Sequence, residues 1–189
     1  MDRYNETIIT KPQGHLRIWE KETGKILLDN HNDINPENFS YAIAASLCGM
    51  QEGNIRYMVF GNGGARVTSS NKYIYSVPQT VGKAASLYNQ TYEKDLVANK
   101  DADNYMKISH SSGQEYTDIV VHATLEKAGL DDVLGNTGDN NSIVSEKTFS
   151  EIGLLTEART LITHICFFPI MKSSQASIII DYLLRIKVV

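Results

Sequence analysis

The residue types able to do chemistry are sparse and scattered in this sequence. Five histidines stand at positions 15, 31, 110, 122 and 164. None belongs to an HExxH motif or to a pair at helical spacing, the arrangement by which a helix brings two imidazoles onto one ion. Each therefore reads as structural, with His122 and His164 lying mid-strand, where an imidazole packs and hydrogen-bonds at once. No serine has glycines two positions to either side, so the nucleophile elbow of a serine hydrolase is missing. Cys48 and Cys166 lie far apart in apolar runs. They form no CxxC pair and read as buried small hydrophobes. Gly61-Asn62-Gly63-Gly64-Ala65-Arg66 follows a strand but lacks both the GxGxxG spacing and the Gly-Lys-Ser/Thr ending of a phosphate loop. Gly61, Gly63 and Gly64 are expected to form a tight turn that needs positive φ. Asp131, Asp132, Asp139 and Asn140 do not follow the order of an EF-hand loop. The residues thus imply no catalytic set, no resident metal and no cofactor.

The elements that would have to position any site are mostly strands. Leu16 and Ile18 alternate with His15, Arg17 and Trp19, Glu22-Thr23-Gly24 supplies a turn, and Ile26 to Leu28 begins a return strand, which predicts a hairpin over Gly14 to Asn32. Asn35 is placed as an N-cap with Pro36 at the first helical position, predicting a helix over 36–48 that Gly49 ends. Phe39, Ala42, Ile43, Ser46 and Leu47 would make its buried face. Alternation then predicts strands over Asn54 to Phe60, Glu115 to Glu126, Thr160 to Ile170 and Ser177 to Val189, the last two joined as a hairpin across Met171 to Ala176. A polar insertion, Lys127 to Asn141, precedes a further segment from Ser142 to Glu157. Short strands, long polar connections and one helix predict a mainly β chain, an antiparallel β-sandwich or flattened barrel.

The 189 residues, 42% hydrophobic and 21% charged, suit a single domain over 1–189. A net charge of −4 argues against a sequence-independent grip on nucleic acid phosphates. Neither a secretory signal nor a run long enough to span a membrane is visible, so a soluble protein made in the cytoplasm is expected. Residues 65–104 show no sustained period and read as long loops with short strands, a candidate contact surface. Ten tyrosines against five phenylalanines and one tryptophan favour interfaces, because Tyr offers broad contact with a polar tip. Tyr73, Tyr75, Tyr88, Tyr92 and Tyr105 are the candidate interface residues. Residues 1–12 read as an extended N-terminal arm able to complete a neighbour's sheet.

Several segments taken together resemble virion structural proteins of tailed bacteriophages. They are Leu28 to Ser40 with Ala44-Ala45-Ser46-Leu47, Ile55 to Gly64, Ser86 to Tyr92, Tyr116 to Val121, Leu161 to His164 with Pro169 to Ser173, and Tyr182 to Ile186. The resemblance covers most of the chain and implies a non-enzymatic particle component of the tail, neck or collar. It implies a homo-oligomer whose partners are other phage structural proteins, tail, portal-proximal or capsid, with no membrane and no sequence-specific nucleic acid. A capsid decoration or head-fibre protein is the alternative in the same class. A host-surface glycan-binding module, using Trp19 and the loop tyrosines for stacking, is the alternative in another.

Overall fold

The computed structural model describes residues 12–98, 101–126, 147–173 and 175–187. The arm expected before Pro12 and the insertion holding Asp131, Asp132, Asp139 and Asn140 lie outside the described residues. The strands are β1 (Gln13–Glu20), β2 (Ile26–Ile34), β3 (Ile55–Gly61), β4 (Ala65–Val67), β5 (Tyr73–Tyr75), β6 (Gln90–Asp95), β7 (Tyr105–Ser109), β8 (Tyr116–Leu125), β9 (Lys147–Thr156), β10 (Leu161–Lys172) and β11 (Ile178–Lys187). One helix, α1 (Pro36–Leu47), and a 3₁₀ turn at Gln51–Gly53 complete the described elements.

Nine strands form one antiparallel sheet in the order β6-β3-β9-β10-β2-β1-β11-β8-β7, and β4 pairs with β5 as a separate ribbon. The large sheet curls into a half-barrel, which makes the chain mainly β, as the alternation predicts. Strand β2 is the corner: Ile26 to Asn32 pair with β1, whereas Ile34 and Asp33 pair with Thr163 and His164 of β10. Period-two alternation then fills the space between the halves. Leu16 and Ile18 of β1, Val121 and Ala123 of β8, and Ile178, Ile180, Tyr182 and Leu184 of β11 pack against Met58, Phe60, Ile152, Leu154 and Ile162 from the other half. Phe149 meets Phe60 and Phe167 edge to face, with centroids 5.6 and 5.8 Å away.

Helix α1 begins as its cap residues dictate. The Asn35 side chain accepts from Asn38 N, Pro36 occupies the first turn, and Gly49 follows at φ +75°. Its buried face is Asn38, Phe39, Ala42 and Ala45, rotated from the expected one, and Leu47 is 84% exposed. The rotation follows from Asn38, whose amide donates to Leu161 O at 2.8 Å and so turns a polar position inward. Cys48, at the C-cap, is exposed and Cys166 half-buried, so the expected burial of the cysteines is overturned for Cys48.

The closing hairpin is also corrected. Strand β10 pairs with β9 and β2, and β11 with β1 and β8, so the two strands lie in different halves of the sheet and form no hairpin. Alternation specifies a strand's faces but not its partner.

Candidate functional site: a buried Glu-His pair beneath an aromatic ribbon

The outer face of β3, β9 and β10 is covered by the segment 77–89, and registration dictates what meets there. Glu151 of β9 lies between Gly61 of β3 and Cys166 of β10, and Gly153 lies between Val59 and His164. The side chains of Glu151 and His164 are both 0% exposed. Gln79 N donates to His164 Nδ1 at 2.7 Å, so the ring proton is on Nε2, which donates to Glu151 Oε2 at 3.0 Å. Tyr88 N also donates to Oε2, at 2.9 Å. The other oxygen, Oε1, accepts from Gly63 N at 3.0 Å and Asn89 N at 2.9 Å. Burial by itself would raise the Glu151 carboxyl, but the imidazole and these backbone donors outweigh it and hold the group below its ordinary value.

The three glycines exist to let this carboxylate in. A Cβ on Gly61 would stand 2.4 Å from Glu151 Oε1 and from Asn89 O, one on Gly63 2.5 Å from Tyr88 Cβ, and one on Gly64 2.2 Å from Ser150 O. The positive φ expected of them is not found, since the positive-φ glycines among the described residues are 24, 49, 82 and 113. Close approach of three backbone segments, rather than turn conformation, is the reason for their composition.

The ligand atoms of Glu151, His164 and Cys166 lie within 4.8 Å of one another, the spacing of a metal or thiol site. Their hydrogen bonds direct them to another task. Cys166 Sγ is 3.6 Å from His164 Nε2, the nitrogen that already carries a proton for Glu151, so no unprotonated nitrogen faces the thiol to accept its proton. Burial, with the charges of Glu151 and Asp33, pushes the Cys166 thiol up to about 12, away from the thiolate a nucleophile requires. With four donors on its two oxygens, Glu151 has no lone pair to spare. The cluster is a polar staple that fastens the glycine turn and the 77–89 segment to the sheet.

Above the staple, the β4–β5 ribbon stands on β10. Tyr73 and Tyr75 are 43% and 51% exposed, and the Tyr73 ring packs on Phe168 at 4.7 Å. Tyr88 joins this side: its hydroxyl donates to Val77 O at 2.7 Å and its ring centroid is 5.9 Å from that of His164. Tyr92 and Tyr105 go elsewhere. Tyr92 stacks on Phe60 at 5.5 Å in the core, where burial pushes its phenol up, and Tyr105 stacks on His122 at 4.8 Å on the far half of the sheet. Asn35 is where it is expected and does a second job, its amide donating to Gly82 O at 2.9 Å and tying the covering segment to the helix.

Glu151 escapes sequence reading. The signal available for it is one carboxylate inside the strand-like run Phe149 to Leu155, with no cation in that run to neutralise it. Comparisons with protein-family models, with curated proteins and with solved structures find no match.

Proposed function

We propose that the protein is a non-enzymatic structural subunit of a tailed-bacteriophage virion, in the tail, neck or collar, that assembles through repeated contacts with its own copies and other virion proteins. The observation that carries this reading is the bare apolar ribbon. Val67, Tyr73 and Tyr75 line one face of β4–β5, Ile74 stands beside Arg66 on the other, and Val77, Phe168 and Met171 extend the apolar patch, all of them exposed. A two-stranded ribbon with one apolar face and exposed apolar neighbours is costly in water and suits burial against a neighbour. The staple beneath supports the same reading, because it spends its acid and its imidazole on holding the ribbon's base in place. The resemblance of Leu28 to Ser40, Ile55 to Gly64 and Leu161 to Ser173 to phage virion proteins supplies the kind of particle.

Glycan stacking is favoured less. Trp19 projects from the outer face of β1, opposite Ile179, while Tyr88 covers the outer face of the other half, so the two rings do not share a platform.

The experiment is the solution mass by light scattering over a concentration series, with electron microscopy of the species formed. A closed multimer of the 21.1 kDa chain is expected, and Tyr73→Glu with Phe168→Glu should reduce it to monomer without changing the circular dichroism spectrum. A wild-type monomer at every concentration would overturn the ring reading and favour a decoration or head-fibre protein that docks singly on a capsid.

A further inference from the structure

We infer that His15 and His31, side by side on the outer face of the β1–β2 hairpin, form a surface site for a divalent transition metal, with zinc as the best fit. The two residues are direct partners across the antiparallel pair. Leu16 and Ile18 turn inward to the core, so His15 turns outward. Its side chain is 35% exposed, and His31 is exposed.

Each imidazole already has the outer partner that a metal-bound histidine needs. His15 Nε2 lies 2.7 Å from Asp29 Oδ1, and His31 Nδ1 lies 3.2 Å from the Gly14 carbonyl. Carboxylate and carbonyl can only accept, so both nitrogens are the protonated ones. A metal would then be met by the other ring nitrogens, His15 Nδ1 and His31 Nε2. Donation of the second N–H to a carboxylate or a carbonyl is the arrangement that fixes tautomer and orientation in metal sites. Arg17 holds the other oxygen of Asp29, Oδ2, at 2.9 Å, which keeps that carboxylate in the outer shell.

The spacing agrees. Two imidazoles on one tetrahedral ion, with metal–nitrogen bonds of about 2.0–2.1 Å, place their ring centroids about 5 Å apart. The observed separation is 5.3 Å, with the planes at 63°. The remaining coordination positions face solvent and would be taken by water, giving an open site rather than a closed structural one.

The test is titration of the full-length, tag-free protein with Zn²⁺ by calorimetry, together with NMR of the imidazole nitrogens. The tightest site is expected to hold one ion per chain and to shift His15 Nδ1 and His31 Nε2. His15→Ala or His31→Ala should weaken it by at least about 10-fold, and Asp29→Ala by about 10-fold through loss of the orienting acceptor. His122→Ala and Cys166→Ser should leave it unchanged. All variants are first shown to melt like the wild type in the presence of chelator. Three results would overturn the site: no saturable binding, binding that survives both histidine variants, or binding lost in Cys166→Ser, which would place the ion on the buried cluster instead.

Discussion

Glu151 shows how much a single side chain can organise. Its carboxylate gathers N–H groups from Gly63, Tyr88 and Asn89, and it receives the proton of His164. Removing it leaves buried donors without an acceptor, so Glu151→Ala should lower stability by about 3–5 kcal/mol in urea unfolding. Glu151→Gln should recover little of that, because its NH₂ would face backbone donors. The same residue makes stability depend on pH. Its folded-state pKa lies below the ordinary carboxylate value, so its contribution is complete above that value and is lost as pH falls through the folded pKa. The urea midpoint of wild type minus that of Glu151→Gln should therefore shrink as pH is lowered from 7 towards 3; a difference that stayed constant would mean the carboxyl is not held down. Thiol chemistry separates the cysteines at this scale as well. Exposed Cys48 should react with a thiol reagent in the native protein, while Cys166, with its thiol pushed up to about 12, should react only on unfolding.

At the scale of elements, the glycine turn and the helix are the two devices that hold the covering segment. Gly63→Val places branched carbon where Tyr88 Cβ and Asn89 N already stand, 2.5 and 2.9 Å from a Cβ, and should shift the thermal midpoint down steeply or abolish soluble expression. Gly82 offers a contrast, since a Cβ there meets nothing within 4 Å and only its φ of +84° resists substitution. In the helix, Phe39 is 4% exposed and belongs to the main core, so Phe39→Ala should cost about 3–5 kcal/mol by denaturant titration. An unchanged midpoint would place that ring outside the core. The cap has two partners, Asn38 N and Gly82 O, so Asn35→Ala should cost more than the roughly 1 kcal/mol of an ordinary N-cap.

For the whole molecule, the governing fact is that one sheet serves as both layers of the sandwich. Strand β2 turns the corner by giving its first residues to β1 and its last two to β10. The two ends of the sheet are then brought close enough for Lys94 of β6 to donate to Thr124 O of β8 at 2.6 Å. Burial lowers the Lys94 pKa, while the charges of Asp101, Glu126 and Asp103 oppose that shift. A sheet folded on itself has one inner face for the core and two outer faces for other uses. One outer face carries the staple and the apolar ribbon; the other carries the His15–His31 pair. Assembly and metal binding are therefore predicted to be separable: Tyr73→Glu with Phe168→Glu should disperse a multimer and leave zinc affinity unchanged, as read by light scattering and calorimetry on the same sample.

Much of this architecture was legible in the residues. Alternation located β1, β3, β8, β10 and β11 but not β9, the Asn35-Pro36 start and Gly49 stop bounded the helix, and short strands with one helix indicated a mainly β chain, because each of these signals is local to a single segment. Even the meeting of His15 and His31 is implicit in a hairpin centred on Thr23, from which both stand equally far. Tertiary structure alone decided the rest. It set which strands are neighbours, so that β10 and β11 are parted although they are consecutive, and it set what surrounds Glu151, whose donors come from positions 63, 88, 89 and 164. Strand pairing and the satisfaction of a buried charge are long-range choices made by the total of the contacts, and no short window of sequence contains them.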